Sequence, residues 1–517
     1  MLAAVAISAL APGALHRPAS LARTARHRPS RCCAATSSPT VEATRQSAAL
    51  DLWRWVEQAG GSAPEGSAVA IEVTASSGLG LRTTRAVKQG DVLLDVPERL
   101  VLSAESALRS SIGQWLADFD PWLADYAFIS VALMHERRLG DQSEYASWLS
   151  SEALPASADV PLLWSADEQA EMAASTTAPF ESRLADMRED YAWLQENVFD
   201  AAPVVFPSSV FSFDEYVAAH ALAFSRSVVL SSGGEARPAM LPLLDLANHA
   251  AQPTARVSQR EAKAALFGGE QPASVELVAA ADLPAGEAVC LRYGGATAGE
   301  LLLDYGFVEP NPPPVVSLEF EIDEEDRNYD DKCDVLENEA GLGVAQPWLL
   351  SAAAGGEPPA EMLAFLRMRH LGAADAFLLE AIFRQALWQE HAQLPVSPAN
   401  EEAALRDGLE RCHAALAGFA GSVQADLGAL AEAEGGSAAF RMATVRYSER
   451  RALEASARWF EGQLERLSGL EYYQDRRLRS LGLEPIETAE EIATLAAEAN
   501  GSMERAGGRR FERDIEW

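Results

Sequence analysis

Hydrophobic positions along the chain change rhythm three times. Short apolar runs come first: Ala68-Val-Ala-Ile-Glu-Val73, Ser76-Ser-Gly-Leu-Gly-Leu81 and Val92-Leu-Leu-Asp-Val-Pro97, with Lys88-Gln-Gly-Asp91 as a turn between the last two. Runs of that length between turn residues predict a small, irregular β domain, preceded by an amphipathic helix over 48–58. From about 103 to 225 the period becomes helical. Trp122, Tyr126, Ile129 and Leu133 share a face, and helices are predicted over 181–198 and 214–224. Strand character returns at 239–247 and 274–293, so the helical stretch reads as an insert splitting one β domain.

Beyond Pro310-Asn-Pro-Pro-Pro314 the pattern is almost wholly helical. Asn400 is expected to cap a helix with Glu401 and Glu402 in its first turn. That helix carries Leu405, Leu409, Cys412, Leu416, Phe419 and Val423 on one stripe. A last long helix shows Leu453, Ala457, Phe460, Leu464 and Leu467 at the same period. Loops fall near 356–360 and 433–438, and no internal repeat is visible. The fold class is therefore α+β: a β domain over 48–312 with its insert at about 103–225, then an all-α domain over 315–500.

Charge removes some functions. The 517 residues include 42 basic and 76 acidic ones, a net charge of −34. Such a field repels phosphate backbones, so no nucleic-acid partner is expected. Solubility alone accounts for the acidity, as does a preference for a basic substrate face. Cys32, Cys33, Cys290, Cys333 and Cys412 form no CxxC pair, so no metal site or disulfide framework is suggested. No apolar run approaches the roughly 18–20 residues of a membrane helix, so no membrane partner is expected. Residues 1–41 contain no Asp or Glu but carry Arg17, Arg23, Arg26, Arg28 and Arg31. That composition predicts an organellar transit peptide.

The candidate chemistry lies in three segments. Ser77-Gly-Leu-Gly80 is a Gly-rich turn that would let a ligand approach the backbone, without the spacing of a dinucleotide site. Leu241-Pro-Leu-Leu-Asp-Leu-Ala-Asn-His249 is an apolar run closed by Asn248 and His249, with Asp245 three residues earlier. Asn offers donors and an acceptor to a ligand, Asp245 would order a loop or face an amine, and a lone His reads equally as a structural residue. Tyr293 ends the strand after Gly286-Glu287, and Tyr305 follows in Glu300-Leu-Leu-Leu-Asp-Tyr-Gly-Phe307. Each Tyr alone is compatible with core packing and a tethered hydroxyl.

Their order is more specific. Ser-Gly-Leu-Gly, a helical insert, Ser225-Arg226, Asp245-Leu-Ala-Asn-His249, Tyr293 and Asp304-Tyr-Gly-Phe-Val-Glu-Pro-Asn311 resemble the plant Rubisco large-subunit methyltransferase group of SET proteins. Ala374-Asp-Ala-Phe-Leu-Leu-Glu380, Ala415-Leu-Ala-Gly418 and Leu470-Glu-Tyr-Tyr-Gln-Asp-Arg-Arg-Leu478 resemble that group's helical substrate-binding domain. The likeness covers roughly 48–483. It implies a SET β-fold and transfer of a methyl group from S-adenosylmethionine to a protein lysine, with no metal. Gly78, Leu79, Arg226, Asn248, His249 and Tyr305 would line the cofactor pocket. Tyr293 would be the catalytic tyrosine, and Asp245 would help bind the substrate lysine. Ser77 stands where the group has an acid, Leu230 where it has a second Arg, and Ala298 where it has Asn. No aromatic occurs from Ala250 to Ala265. These departures bear on the lysine channel more than on the cofactor pocket.

The expected enzyme is a monomer of the chloroplast stroma. Its protein substrate would be the Rubisco large subunit, fructose-bisphosphate aldolase or another stromal protein. A histidine acceptor, or a SET-like binding module with little activity, are the alternatives. The helical domain is expected to dock the substrate through an acidic outer surface with Glu401, Glu402, Asp407, Glu410, Asp426, Glu432 and Glu434.

Overall fold

The computed structural model describes residues 39–74, 78–117, 123–150, 154–155, 157–232, 234–264, 270–295 and 297–483. Ser77, Trp122, Cys32, Cys33, residues 1–38 of the proposed transit segment and residues 484–500 of the helical domain lie outside them. The described chain forms two compact units. One holds the residues up to Pro313 together with Phe419–Glu449, and the other holds Pro314–Gly418 and the residues from Arg450 on.

The strands of the first unit are β1 (Val69–Thr74), β2 (Gly78–Thr83), β3 (Val92–Pro97), β4 (Leu102–Ser103), β5 (Ser227–Ser232) and β6 (Glu235–Met240). They continue as β7 (Asn248–His249), β8 (Ala255–Arg260), β9 (Lys263–Ala264), β10 (Glu270–Gln271), β11 (Ser274–Ala279) and β12 (Ala288–Leu291). One sheet has the order β1-β2-β12-β7, two others β3-β11-β8 and β4-β6-β5, and β9 pairs with β10. β11 lies between two partners and is buried at five of its six positions, so its apolar character is nearly continuous. Most pairs are antiparallel. The exception is β7 against β12, a parallel pair matching Asn248 with Cys290 and His249 with Leu291. Two distant segments are thereby brought side by side.

The insert forms the helices Asp125–Leu139, Phe180–Leu194 and Phe213–Arg226. The first is buried without interruption from Ala127 to Glu136, so it is a core helix with no wet face there. The apolar run 239–247 does not continue as a strand. β6 ends at Met240, and Leu243 adopts φ +72° and ψ −41°. Leu244 N–H donates to the Pro242 carbonyl at 2.9 Å, a γ-turn of the rare, strained hand. Burial of all of 243–247 holds it in place.

The second unit opens on an antiparallel strand pair, β13 (Val315–Glu321) with β14 (Ala345–Ser351), which the apolar pattern did not suggest. Helices follow, including Ala360–Arg369 and Pro398–Gly418. Asn400 is not the cap of the latter. It lies inside the helix and its N–H donates to Ser397 Oγ at 3.2 Å, while its own side-chain amide is buried against the Arg367 carbonyl. The long stripe also breaks. The helix ends at Gly418, and a new one, Val423–Glu432, starts with Ser422 Oγ accepting from Ala425 N–H. Of the acids expected outside, Glu410, Glu432 and Glu434 are exposed and Glu402 half-exposed. Glu401 and Asp426 are buried in ion pairs with Arg367 and Arg446, and Asp407 is paired with Arg369 and His370.

Candidate active site

The β7–β12 pair is the frame. Ala250 N–H donates to the Leu291 carbonyl, and the Thr254 hydroxyl both donates to the Ala288 carbonyl and accepts from Cys290 N–H. With its backbone fixed, Asn248 turns its side-chain amide onto the Leu79 carbonyl in β2 at 2.9 Å. That bond joins the Gly-rich segment to the Asn-His segment. Gly78 opens β2 with φ +70°, a backbone region that disfavours any residue with a Cβ. Its chain neighbours aside, no atom of the described residues lies within 4 Å of where such a Cβ would stand, so conformation rather than crowding is the constraint.

His249 is oriented from both sides. Its Nδ1 accepts the Tyr293 N–H at 3.1 Å, which leaves Nε2 to donate to Glu309 Oε1 at 3.2 Å. Its ring lies 5.3 Å from that of Tyr293 and 5.4 Å from that of Phe307. Tyr293 donates its hydroxyl to the Ala247 carbonyl at 2.9 Å, and its ring centroid is 4.8 Å from that of Tyr305. The Tyr305 hydroxyl accepts from Gly294 N–H at 3.1 Å. Burial pushes Tyr293 up to about 12 and raises Tyr305 well above the ordinary phenol range, so both stay protonated at physiological pH. The site therefore presents neutral aromatic walls with fixed hydroxyl dipoles.

Asp245 sits in the short 3-10 turn Leu244–Leu246, directly after the γ-turn. Its side chain is 1% exposed, and neither carboxylate oxygen has a hydrogen-bond partner among the described residues. The Arg226 guanidinium, at the end of the helix Phe213–Arg226, donates to the Asp245 carbonyl at 3.2 Å but stands 4.0 Å from the carboxylate. Burial raises the carboxyl to about 6, and Arg226 opposes that rise. The Trp148 indole and the Leu243 and Asp245 amides face it without reaching hydrogen-bond geometry.

All the residues singled out from sequence thus lie on a few connected segments of the first unit. Tyr293, Tyr305 and His249 share one aromatic cluster; Asn248 and Leu79 share a bond; Arg226 and Asp245 face each other. Sequence reasoning missed Trp148, the Ala247 carbonyl and Leu243, and assigned no role to Glu309 or Phe307 in the motif it quoted. Ala298, where Asn is usual, is buried as the first helical residue after the cap Thr297. Leu230 lines a separate cavity of about 340 Å³ between β5, β6, β8 and β11. Among the described residues no His, Cys, Asp and Glu cluster is arranged to hold a metal.

A parallel two-residue strand tucked beside a second short strand, with Asn-His on one and a half-buried Tyr after the other, is the arrangement of a SET-domain methyltransferase. The comparisons agree. Residues 323–453 match the family model described as Rubisco LSMT substrate-binding. The chloroplastic ribulose-1,5 bisphosphate carboxylase/oxygenase large subunit N-methyltransferase of Pisum sativum is 31% identical, over 86% of this chain and 88% of that protein. The chloroplastic [fructose-bisphosphate aldolase]-lysine N-methyltransferase of Arabidopsis thaliana is also 31% identical, over 84% and 87%. The solved SET domain of LSMT bound to lysine and AdoHcy superposes with a TM-score of 0.70 at 27% identity, over 87% of this chain and 99% of that one. Rubisco LSMT bound to AdoMet gives 0.66.

The chain belongs to the Rubisco large-subunit methyltransferase family of SET-domain proteins. It is an S-adenosylmethionine-dependent protein-lysine N-methyltransferase, and its compartment is the chloroplast.

Proposed function

We propose that the chain methylates a lysine of a stromal protein, the Rubisco large subunit and fructose-bisphosphate aldolase being the substrates its relatives point to. The buried Asp245 carboxylate, which has no hydrogen-bond partner among the described residues, carries this reading. An unpartnered buried acceptor is costly, and an arriving ammonium is the group that would repay the cost. A histidine acceptor brings no obligatory positive charge to such a place.

The residues fit the cofactor. Gly78, Leu79, Arg226, Asn248, His249 and Tyr305 would line its pocket, the first two through backbone and Asn248 through its anchored amide. Bound there, S-adenosylmethionine supplies an electrophilic methyl carbon. Asp245 receives the lysine ammonium and draws it in. The surrounding apolar and aromatic walls, Tyr293 and Tyr305 foremost, disfavour charge and so promote loss of the ammonium's proton to solvent, leaving the free amine that displacement needs. Tyr293 is the catalytic tyrosine: its hydroxyl, tethered to the Ala247 carbonyl, fixes an oxygen dipole beside the reacting atoms. Most of the acceleration would come from alignment.

The domain over 315–500 would select the protein substrate, since a lysine channel grips a single side chain. Of the exposed acids, Glu410 lies in the second unit and remains a candidate for its acidic docking face, whereas Glu432 and Glu434 belong to the first unit. Residues 1–41 would direct import and be removed; a reporter fused to residues 1–45 should enter chloroplasts. The enzyme would act as a monomer. Incubating the full chain with stromal extract and methyl-labelled S-adenosylmethionine, then analysing the labelled band by mass spectrometry, tests the proposal. Label on a lysine Nζ of a stromal protein is expected. Label on histidine, or none, would overturn it.

A further inference from the structure

The helix Ala298–Tyr305 carries Tyr305 at its last position, and side chains from three other segments of the same unit hold it. At its first turn, Gly299 lies against Thr176 and Glu449, so close that an added Cβ would stand 2.0 Å from the Thr176 hydroxyl. Glu449 is fully buried there and accepts from Thr176 Oγ1 at 2.8 Å and Thr177 N–H at 2.7 Å. At the last turn, Asp304 is paired with Arg183 at 2.8 Å. Just past the end, Gly306 takes φ +77° and packs on the Asp159 carbonyl, where a Cβ would stand 1.9 Å away.

The Gly306 carbonyl accepts from Arg441 Nη1. That same nitrogen donates to Asp159 Oδ2 at 3.0 Å, and the guanidinium lies 4.9 Å over the Trp164 ring. Trp164 Nε1 in turn donates to Asp159 Oδ1 at 2.9 Å. Arg441 is 10% exposed; its Nη1 contacts offset that desolvation in part, while its buried Nε has no partner among the described residues. Arg441 and Glu449 both lie on the helix Ala438–Leu464, well over a hundred residues after the last motif residue. Met442 and Val445 of that helix are buried in the core of the first unit.

We infer that Arg441 is a positioning residue for the cofactor pocket, fixing Gly306 and through it the placement of Tyr305. The inference rests on the proposed role of Tyr305 in that pocket. Its physical content is leverage. Tyr305 ends its helix, so anchoring Gly306 limits how far that helix end and the ring it carries can shift. The ring and hydroxyl then hold Tyr293 and Gly294. A segment within the stretch matched by the substrate-binding family model thus belongs structurally to the methyl-transfer site.

Calorimetry of S-adenosylmethionine on the full chain tests this with Arg441→Met, Arg441→Lys, Tyr305→Phe and the double variant Arg441→Met/Tyr305→Phe. Arg441→Met should weaken binding about tenfold, Arg441→Lys should recover part of the loss, and the Met change should matter less than about threefold once Tyr305 is Phe. Equal losses in both backgrounds, or no loss from Arg441→Met, would overturn the inference. An unchanged affinity in Tyr305→Phe alone would instead sink the role proposed for Tyr305. If Arg441→Met is insoluble, Asp159→Asn decides, because that carboxylate is 73% exposed and tolerant of change. It should weaken binding about two- to threefold with Tyr305 present and not with Phe. No change in either background would overturn the inference.

Discussion

Two buried carboxylates, one in each unit, are treated in opposite ways. Glu401 in the helical unit is 4% exposed and fully engaged: Arg367 Nε donates to Oε2 at 2.6 Å and Nη2 to Oε1 at 2.9 Å. The remaining Arg367 nitrogen donates to the Ala392 carbonyl at 3.0 Å. Asp245 in the SET unit is as deeply buried, but among the described residues its oxygens have no hydrogen-bond partner, and the Arg226 guanidinium stands 4.0 Å off. Burying an ion costs several kcal/mol, and good geometry is what repays it. Where the charge builds the fold the repayment is complete. Where a substrate amine is proposed to arrive, the protein holds back the capacity to bind it.

Breaking the completed pair should give the largest effect. Glu401→Ala leaves Arg367 buried and uncompensated, so a loss of about 3–5 kcal/mol is expected in denaturant unfolding. A loss below about 1 kcal/mol would place that pair with the weak surface bridges. Next comes Tyr293→Phe, which removes a fixed dipole but no packing. Turnover should fall on the order of 10²-fold in steady-state kinetics, with the affinity for S-adenosylmethionine nearly unchanged. Parent-like turnover would make Tyr293 a packing residue. Asn248→Ala should be smaller still. It strands the Leu79 carbonyl and should weaken cofactor binding by about 1–3 kcal/mol in calorimetry.

Much of the site was legible because its residues cluster in short motifs. Asn248 and His249 are adjacent, Tyr293 follows two residues after the end of β12, and Tyr305 ends its helix, so pairing β7 with β12 brings them together. The γ-turn at Leu243 was not legible, since no Gly or Asn marks its left-handed backbone. Pro242 and the apolar run look like strand until burial overrides the local preference. Glu401 and Asp426 were read as surface because acids usually are, and only the facing Arg367 and Arg446 reveal otherwise. The Phe419–Glu449 segment shows the general limit. An apolar stripe says that a helix face is covered but not by what, so sequence assigned the whole helix Ala438–Leu464 to the second domain. Its first half belongs to the first unit, and a truncation at Asn311 would remove Arg441 and Glu449 along with any docking surface.

The direct test of the central contrast is Asp245→Asn, with unfolding free energy and turnover measured on the same preparation. Burial raises the folded carboxyl from the ordinary 3.8 to about 6. Ionised Asp245 therefore costs stability: nothing below about pH 4, increasingly as pH climbs to 6, and fully above that. The Asn variant should be more stable than the parent by about 3 kcal/mol at pH 8, little changed at pH 4, and strongly reduced in lysine methylation. An Asn variant that is less stable at pH 8, or that methylates as fast as the parent, would contradict the claim that this carboxylate is kept unpaired for the substrate.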